Sequence, residues 1–184
     1  MRKVIVFVMV TLDGFFSGPD GELDWHVVDE EFNNFANEQL ASVDTLLFGR
    51  VTYQSMASYW PTSGVLEDDP IIAHKMNTFS KIVFSRTLEQ AEWENTRLVK
   101  DHLAEEILQL KQQPGKDLII FGSSTLSASL LNLGLIDELR IMVNPVVLGK
   151  GQPLFKGIEE KLPLTRFDTR TFQSGNVLLF YRPA

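Results

Sequence analysis

The chain contains no cysteine, which excludes disulfides, thiolate nucleophiles and cysteine-ligated metals. Its three histidines, His26, His74 and His102, show no ligand spacing, and no acidic cluster resembles a metal cage, so no metal is expected. Cations are the scarcer charge: 17 lysines and arginines stand against 24 aspartates and glutamates, a formal net charge of −7. That balance argues against broad binding to nucleic acid or to anionic membranes, and any anionic ligand must meet local positive charge. No apolar run approaches the roughly 18 residues that a membrane span needs. The opening MRKVIVFVMV is followed by no small-residue cleavage site and reads as a first strand, so a cytoplasmic location is expected. Neither G-x-x-x-x-G-K-[ST] nor G-x-G-x-x-G occurs, and a bound nucleotide must be held by some other arrangement.

What is present fits one globular domain spanning residues 1–184, with 44% hydrophobic and 22% charged residues. Val4 to Val10 is continuously apolar and predicts a central strand. Turn chemistry at Thr11-Leu12-Asp13-Gly14 ends it, and Phe15 to Trp25 reads as a loop. Asp29 opens a helix whose stripe is Phe32, Phe35, Ala36 and Leu40. Thr45 to Phe48 predicts a strand and Gly49 onward a second helix, ending near Trp60-Pro61. A polar connection through Gly64 and Glu67-Asp68-Asp69 leads to a short helix over 71–79. Strands follow at 81–84 and 97–99, then a helix capped by Asp101 with Leu103, Ile107 and Leu110 on one face.

The densest signal is DLIIFGSSTLSASLL, residues 117–131. Leu118 to Phe121 reads as a strand covered on both faces. Gly122 breaks it, and Leu126, Leu130 and Leu131 return at helical spacing. Such a strand–glycine–helix step points unpaired N–H groups and the positive end of a helix dipole into open space, which suits phosphate. Glu138 to Val147 predicts a long strand, Leu148 to Pro153 a glycine-rich turn, and Leu164 to Phe172 and Val177 to Tyr181 two closing strands. Strands alternate with helices until about residue 136 and then dominate, the pattern of an α/β sheet, mostly parallel, with an antiparallel edge.

Three strand ends carry anion-friendly residues: Gly49-Arg50-x-Thr52, Ser85-Arg86, and Gly122-Ser123-Ser124-Thr125. Ligands in open α/β sheets bind beyond the carboxyl ends of strands, and arginine's planar fork suits phosphate oxygens. Their recurrence favours a dinucleotide over three ordinary capped turns.

These stretches also carry a resemblance. Thr11-Leu12-Asp13-Gly14, Asp24-Trp25, Phe48 to Tyr53, Val83 to Leu88, Phe121 to Leu126, Leu133 to Leu139 and Asn144 to Gly151 stand in the order and spacing of the dihydrofolate reductase-like superfamily. Within it the chain is most similar to the C-terminal reductase domain of bifunctional riboflavin biosynthesis proteins. The resemblance covers nearly the whole length. It implies a three-layer α/β/α fold with a mixed, mostly parallel sheet, and a homodimer associating through the last strands.

It also implies hydride transfer from NADPH. The nearest named activity is 5-amino-6-(5-phosphoribosylamino)uracil reductase, with dihydrofolate reduction second. A catalytically inactive NADPH-binding module and a flavin-binding module are the alternatives. By the resemblance, Gly49, Arg50 and Thr52 hold cofactor phosphates, and Ser85 and Arg86 grip the 2′-phosphate. Gly122, Ser123, Ser124 and Thr125 lie under the pyrophosphate, and backbone around Met9 and Phe16 meets the nicotinamide carboxamide. Dihydrofolate reductases usually join two glycines by a cis bond at that pyrophosphate loop, and here the second is Ser123. Glu31, in the first helical turn, is the best match to the proton donor, or simply an acid favouring the helix N-terminus. Asp13 is the second candidate, or an ordinary turn residue. Trp25 either walls the substrate pocket or belongs to the core.

Overall fold

The computed structural model describes all 184 residues. One eight-stranded sheet organises it, in the order β5-β4-β3-β6-β1-β7-β10-β9, with a two-stranded β2-β8 ribbon beside it. The main strands are β1 (Val4–Thr11), β3 (Val43–Gly49), β4 (Ser80–Phe84), β5 (Thr96–Val99), β6 (Asp117–Phe121), β7 (Glu138–Asn144), β9 (Leu164–Thr171) and β10 (Val177–Pro183). From β5 across to β7 every pair is parallel, and β10 runs antiparallel to both β7 and β9. All eight residues of β1 are buried, as a strand covered on both faces requires. The expected mixed sheet with an antiparallel C-terminal edge is what forms.

Alternate β1 side chains enter two separate cores. Val4, Val6, Val8 and Val10 join Ile107 and Leu110 of α5 (Leu103–Gln112) and Leu126, Leu130 and Leu131 of α6 (Ser124–Asn132). Ile5, Phe7 and Met9 join Phe35 and Leu40 of α1 (Glu30–Ala41), Tyr53 of α2 (Arg50–Tyr59) and Met76 of α4 (Pro70–Thr78). Helices therefore cover both faces, giving three layers. Because α1 leads directly into β3, a strand parallel to β1, its N-terminus lies at the carboxyl edge of the sheet. The helices α2 and α6 start from that same edge, at the ends of β3 and β6.

Four local expectations change. The connection holding Gly64 contains a short helix, α3 (Ser63–Asp68), since nothing in that polar stretch breaks helix before Pro70. The loop after Gly14 begins with β2 (Phe15–Ser17), which pairs with β8 (Gln152–Pro153), a contact too distant in sequence to read. The N-cap position of α5 is taken by His102, in the left-handed region at φ 59° and with no side-chain cap bond, and not by Asp101, whose carboxylate turns to Arg86 instead. The strand expected to reach Val147 stops at Asn144, and it is interior and not near the edge, because β10 pairs with the side that β1 leaves open and β9 then forms the edge.

One buried cation went unread. Lys81 is fully buried on β4, and its ammonium donates to the carbonyls of Met76, Asn77 and Phe79 at 2.8–3.0 Å. It thereby closes the last turn of α4, whose carbonyls have no partners of their own.

Candidate active site

The crevice exists because β6 is short. Its register with β1 ends at Phe7↔Phe121, while β1 continues through Thr11. Lys3 and Phe7 carbonyls accept from β6, from Leu118 and Gly122 N–H at 2.8 and 3.0 Å, whereas Val4 accepts from Asp137 on the β7 side. Peptide groups alternate along a strand, so Met9 turns its N–H and C=O toward β6, beyond the point where β6 has ended. A donor and an acceptor side by side on one residue match a primary carboxamide, which offers the reverse pair.

Past Phe121 the chain steps away through two residues at positive φ, Gly122 at 62° and Ser123 at 49°. No peptide bond is cis, so the Gly122–Ser123 link is trans. Ser123 is the N-cap residue of α6 yet makes no side-chain cap bond. Its hydroxyl instead accepts from Gly49 N–H at 2.9 Å. Gly49 is in turn the N-cap of α2 and has no side chain to offer. Two helices thus start side by side with no side chain capping either, their first N–H groups turned to the crevice. That donor set fits a diphosphate. Glycine is needed at 49 for space, since a Cβ there would lie 2.5 Å from Ser123 Oγ.

The remaining phosphate candidates sit around this pair. Arg50 is exposed and donates to Gln54 at 3.0 Å, and Thr52 is half-buried in the first turn of α2. Ser124 and Thr125 open α6. Ser85 orders its own turn, its hydroxyl accepting from Thr87 and Leu88 N–H at 3.2 and 3.0 Å. Arg86 is 82% exposed and lies 3.3 Å from Asp101. Such a surface pair is weakly held, which leaves the guanidinium available to a stronger anion. Because β4, β3, β6 and β1 are consecutive neighbours, all these residues meet along one edge.

On the α1 side, Trp25, Phe32 and Phe121 are half-buried against the core that contains Met9. Phe16 packs on the opposite core and shares only the β1 end with Met9. Glu31 is half-buried, and its Oε2 accepts from Gln173 N–H at 2.8 Å, tying α1 to the β9–β10 hairpin. Asp13 is committed more fully. Its carboxylate accepts from Thr11 Oγ1 at 2.6 Å, Gly149 N–H at 2.8 Å and Leu148 N–H at 3.2 Å. The Thr11 hydroxyl, then the two amides, hold its pKa below the usual carboxylate value. A carboxylate so held stays ionised and anchors the 148–149 turn to the end of β1. His26 was not read as a site residue. Burial pushes its imidazole down to about 4, and its Nε2 is buried without a partner.

A cavity of about 640 Å³ opens at the opposite edge of the sheet, lined in part by Arg2, Asp44, Thr45, Arg97 and Glu106. Its charges are already paired, Arg2 with Asp44 and Arg97 with Glu106. No helix is long and apolar enough to cross a membrane.

Comparison with known proteins gives the family of the chain. The model of the RibD C-terminal domain matches residues 2–178. The chain belongs to the RibD C-terminal domain family. YyaP of Bacillus subtilis (strain 168), an uncharacterized protein, is 38% identical over 183 residues, covering 98% of this chain and 94% of its own. The Thermotoga maritima diaminohydroxyphosphoribosylaminopyrimidine deaminase/5-amino-6-(5-phosphoribosylamino)uracil reductase superposes with a TM-score of 0.73 at 18% identity, over 100% of this chain and 57% of that one. Dihydrofolate reductase of Enterococcus faecalis, solved with NADP(H), gives 0.65 at 18% identity over 98% and 96%. The fold of this family member is dihydrofolate reductase-like, and the family is of reductase type.

Two outcomes follow from this geometry. Gly49→Ala should destabilise the fold by about 1–3 kcal/mol through overpacking, and Ser123→Ala by about 1 kcal/mol through the lost bond. The double variant should resemble Ser123→Ala alone, because removing Oγ removes the clash. Additive losses in urea denaturation would show that Gly49 is not held by that contact.

His26 gives a pH signature. Its folded pKa lies below its unfolded one of about 6.5, so between pH 6.5 and 4 the unfolded chain binds a proton that the folded chain refuses. Stability is therefore present above pH 6.5 and is lost as pH falls toward 4, by up to about 3 kcal/mol. In His26→Gln the loss over that window should be smaller. Parallel curves for the two proteins would count against it.

Proposed function

We propose that this protein is an NADPH-dependent reductase acting on a pterin or a ribosylaminopyrimidine-like substrate. The observation that carries the reading is Met9, whose free N–H and C=O face the gap beyond β6, beside two uncapped helix N-termini. A carboxamide bound at Met9 and a diphosphate bound at Gly49 and at Ser123–Thr125 describe the two ends of one nicotinamide dinucleotide. That cofactor would supply the hydride. The protein's tasks are alignment, exclusion of water and delivery of a proton.

Ser123 and Gly49 fix the spacing between the two diphosphate-binding helices, and Arg50 and Thr52 lie at the mouth of the first. Ser85 shapes the turn that carries Arg86 toward a 2′-phosphate. Trp25 and Phe32 form the apolar wall against which a planar ring can lie. Of the two carboxylates, Glu31 is the better proton relay. It spends one oxygen on one amide at the crevice edge of α1, whereas Asp13 is kept ionised by three donors and acts by positioning the 148–149 turn.

Arg86→Ala should weaken NADPH binding by about 1.5–3 kcal/mol, the worth of a hydrogen bond to a charged group, and leave NADH nearly unchanged. Equal losses for the two cofactors in calorimetry would remove Arg86 from the 2′-phosphate site. Glu31→Gln should lower kcat by about 10²–10⁴-fold with NADPH affinity kept. Normal turnover in that variant, with loss in Asp13→Asn, would move the proton path to the turn after β1.

We also propose a homodimer formed through β9. This edge strand has Leu164 and Phe167 exposed at 37% and 40%, and an uncovered edge invites pairing with a second chain. Sedimentation should give twice 20.9 kDa at micromolar concentration. A monomer mass there would rule this out.

A further inference from the structure

The two halves of the crevice differ in charge. Between Lys3 and Arg50 the chain has no lysine and no arginine. That stretch supplies β1, β2 and α1, the whole acceptor side of the site. Seven carboxylates fall between Asp13 and Glu31, and none of them makes a salt bridge. Those that are hydrogen bonded use neutral donors. Asp29 accepts from Phe32 N–H, Glu22 from Asp20 N–H and Glu31 from Gln173 N–H. Asp13 accepts from a hydroxyl and two amides. Elsewhere the same kind of residue is neutralised: Glu38 pairs with Arg170, Asp44 with Arg2 and Glu138 with Arg140.

Few cations are available to offset this. His26 is held neutral by burial. Lys150 is exposed in the turn that Asp13 anchors and has no ion pair. Arg50, which has no ion pair, and Arg86, held only by an exposed pair with Asp101, stand at the ends of β3 and β4, on the phosphate side. Arg170 lies over Phe35, which packs on Phe32, but it is paired with Glu38. An anionic group entering beside Trp25 and Phe32 would therefore meet like charge with Lys150 as the unpaired cation in its favour. Like charge at close range rejects a ligand more effectively than apolar contact selects one.

We propose that the acceptor half of the crevice takes a planar nitrogen heterocycle, uncharged or protonated, that bears no phosphate and no carboxylate. This rests on the reductase reading and narrows it: the substrate would be a dephosphorylated relative of the ribosylaminopyrimidine, not the phosphorylated compound. The phosphate-binding capacity of the protein is spent on the cofactor. The wall of half-buried Trp25, Phe32 and Phe121 suits the ring, and the surrounding carboxylates stabilise a proton on one of its nitrogens.

The test uses the full-length protein and begins with NADPH titration by calorimetry. Failure there would sink the reductase reading itself. With NADPH saturating, 5-amino-6-ribosylaminouracil and its 5′-phosphate are then titrated as a matched pair. The riboside should bind at least tenfold more tightly, and raising salt should narrow the gap as repulsion is screened. Asp24→Asn combined with Glu30→Gln removes two charges that make no side-chain hydrogen bonds, and should narrow the gap in the same direction. The proposal is overturned if the phosphate binds as well as the riboside, or if neither pyrimidine binds NADPH-loaded protein. It is equally overturned if the phosphate gains affinity that Lys150→Gln abolishes.

Discussion

The hydrogen bond from Gly49 N–H to Ser123 Oγ, 2.9 Å long, is the constraint on which the rest of the crevice depends. It joins the starts of α2 and α6, which belong to opposite faces of the sheet. A helix start normally satisfies its own N–H groups with the side chain of its cap residue. Here one cap is glycine and the other has turned its hydroxyl across to the neighbouring helix. The bond therefore does two things at once: it sets the distance between two positive helix ends, and it holds the Ser123 hydroxyl away from capping α6, while glycine leaves α2 without a side-chain cap. A site for a diphosphate results from withholding caps as much as from supplying arginines.

The sequence made the strand ends legible because glycine, serine and arginine after an apolar run report turn chemistry directly. Gly49, Arg50, Ser85, Arg86 and Gly122 through Thr125 all lie on the edge expected of them. Their meeting there needed the strand order, which places β4, β3, β6 and β1 side by side. Other features depended on contacts distant in sequence. The pairing of Phe15–Ser17 with Gln152–Pro153, the anchoring of the 148–149 turn by Asp13, and the bond from Gln173 to Glu31 each span more than 130 residues. Lys81 was hidden for another reason. A lysine in a strand pattern reads as surface, and only the end of α4 explains its burial. Asp101 looked like a helix cap, but Arg86 competes for it, and His102 in a left-handed conformation takes the cap position.

Met9 shows how a site can be set by strand length. Its side chain is buried among Phe7 and Phe35 and reads as core, which it is. Its function in this account belongs to its backbone, and the backbone is free only because β6 stops at Phe121. Extending β6 by two residues would pair Met9 and close the gap. The glycine at 122 and the left-handed serine at 123 are what end β6 there, so the turn that starts α6 also uncovers the backbone of Met9 on β1.

Charge completes the division of the crevice. An acidic chain, net −7, can hold a polyanionic cofactor only by concentrating its positive groups. It does so on the β3–β4 side with Arg50 and Arg86, assisted by two helix N-termini whose charge comes from the backbone. The opposite side carries carboxylates alone from Asp13 to Glu31. On the proposed reading, that separation would orient a dinucleotide, phosphates toward β3 and nicotinamide toward β1, before any specific contact forms. It would also place negative charge on the acceptor side, which favours a protonated acceptor at the moment a hydride arrives. If the substrate is unphosphorylated, as proposed, the carboxylates that would repel its phosphorylated relative would also stabilise its electrophilic form.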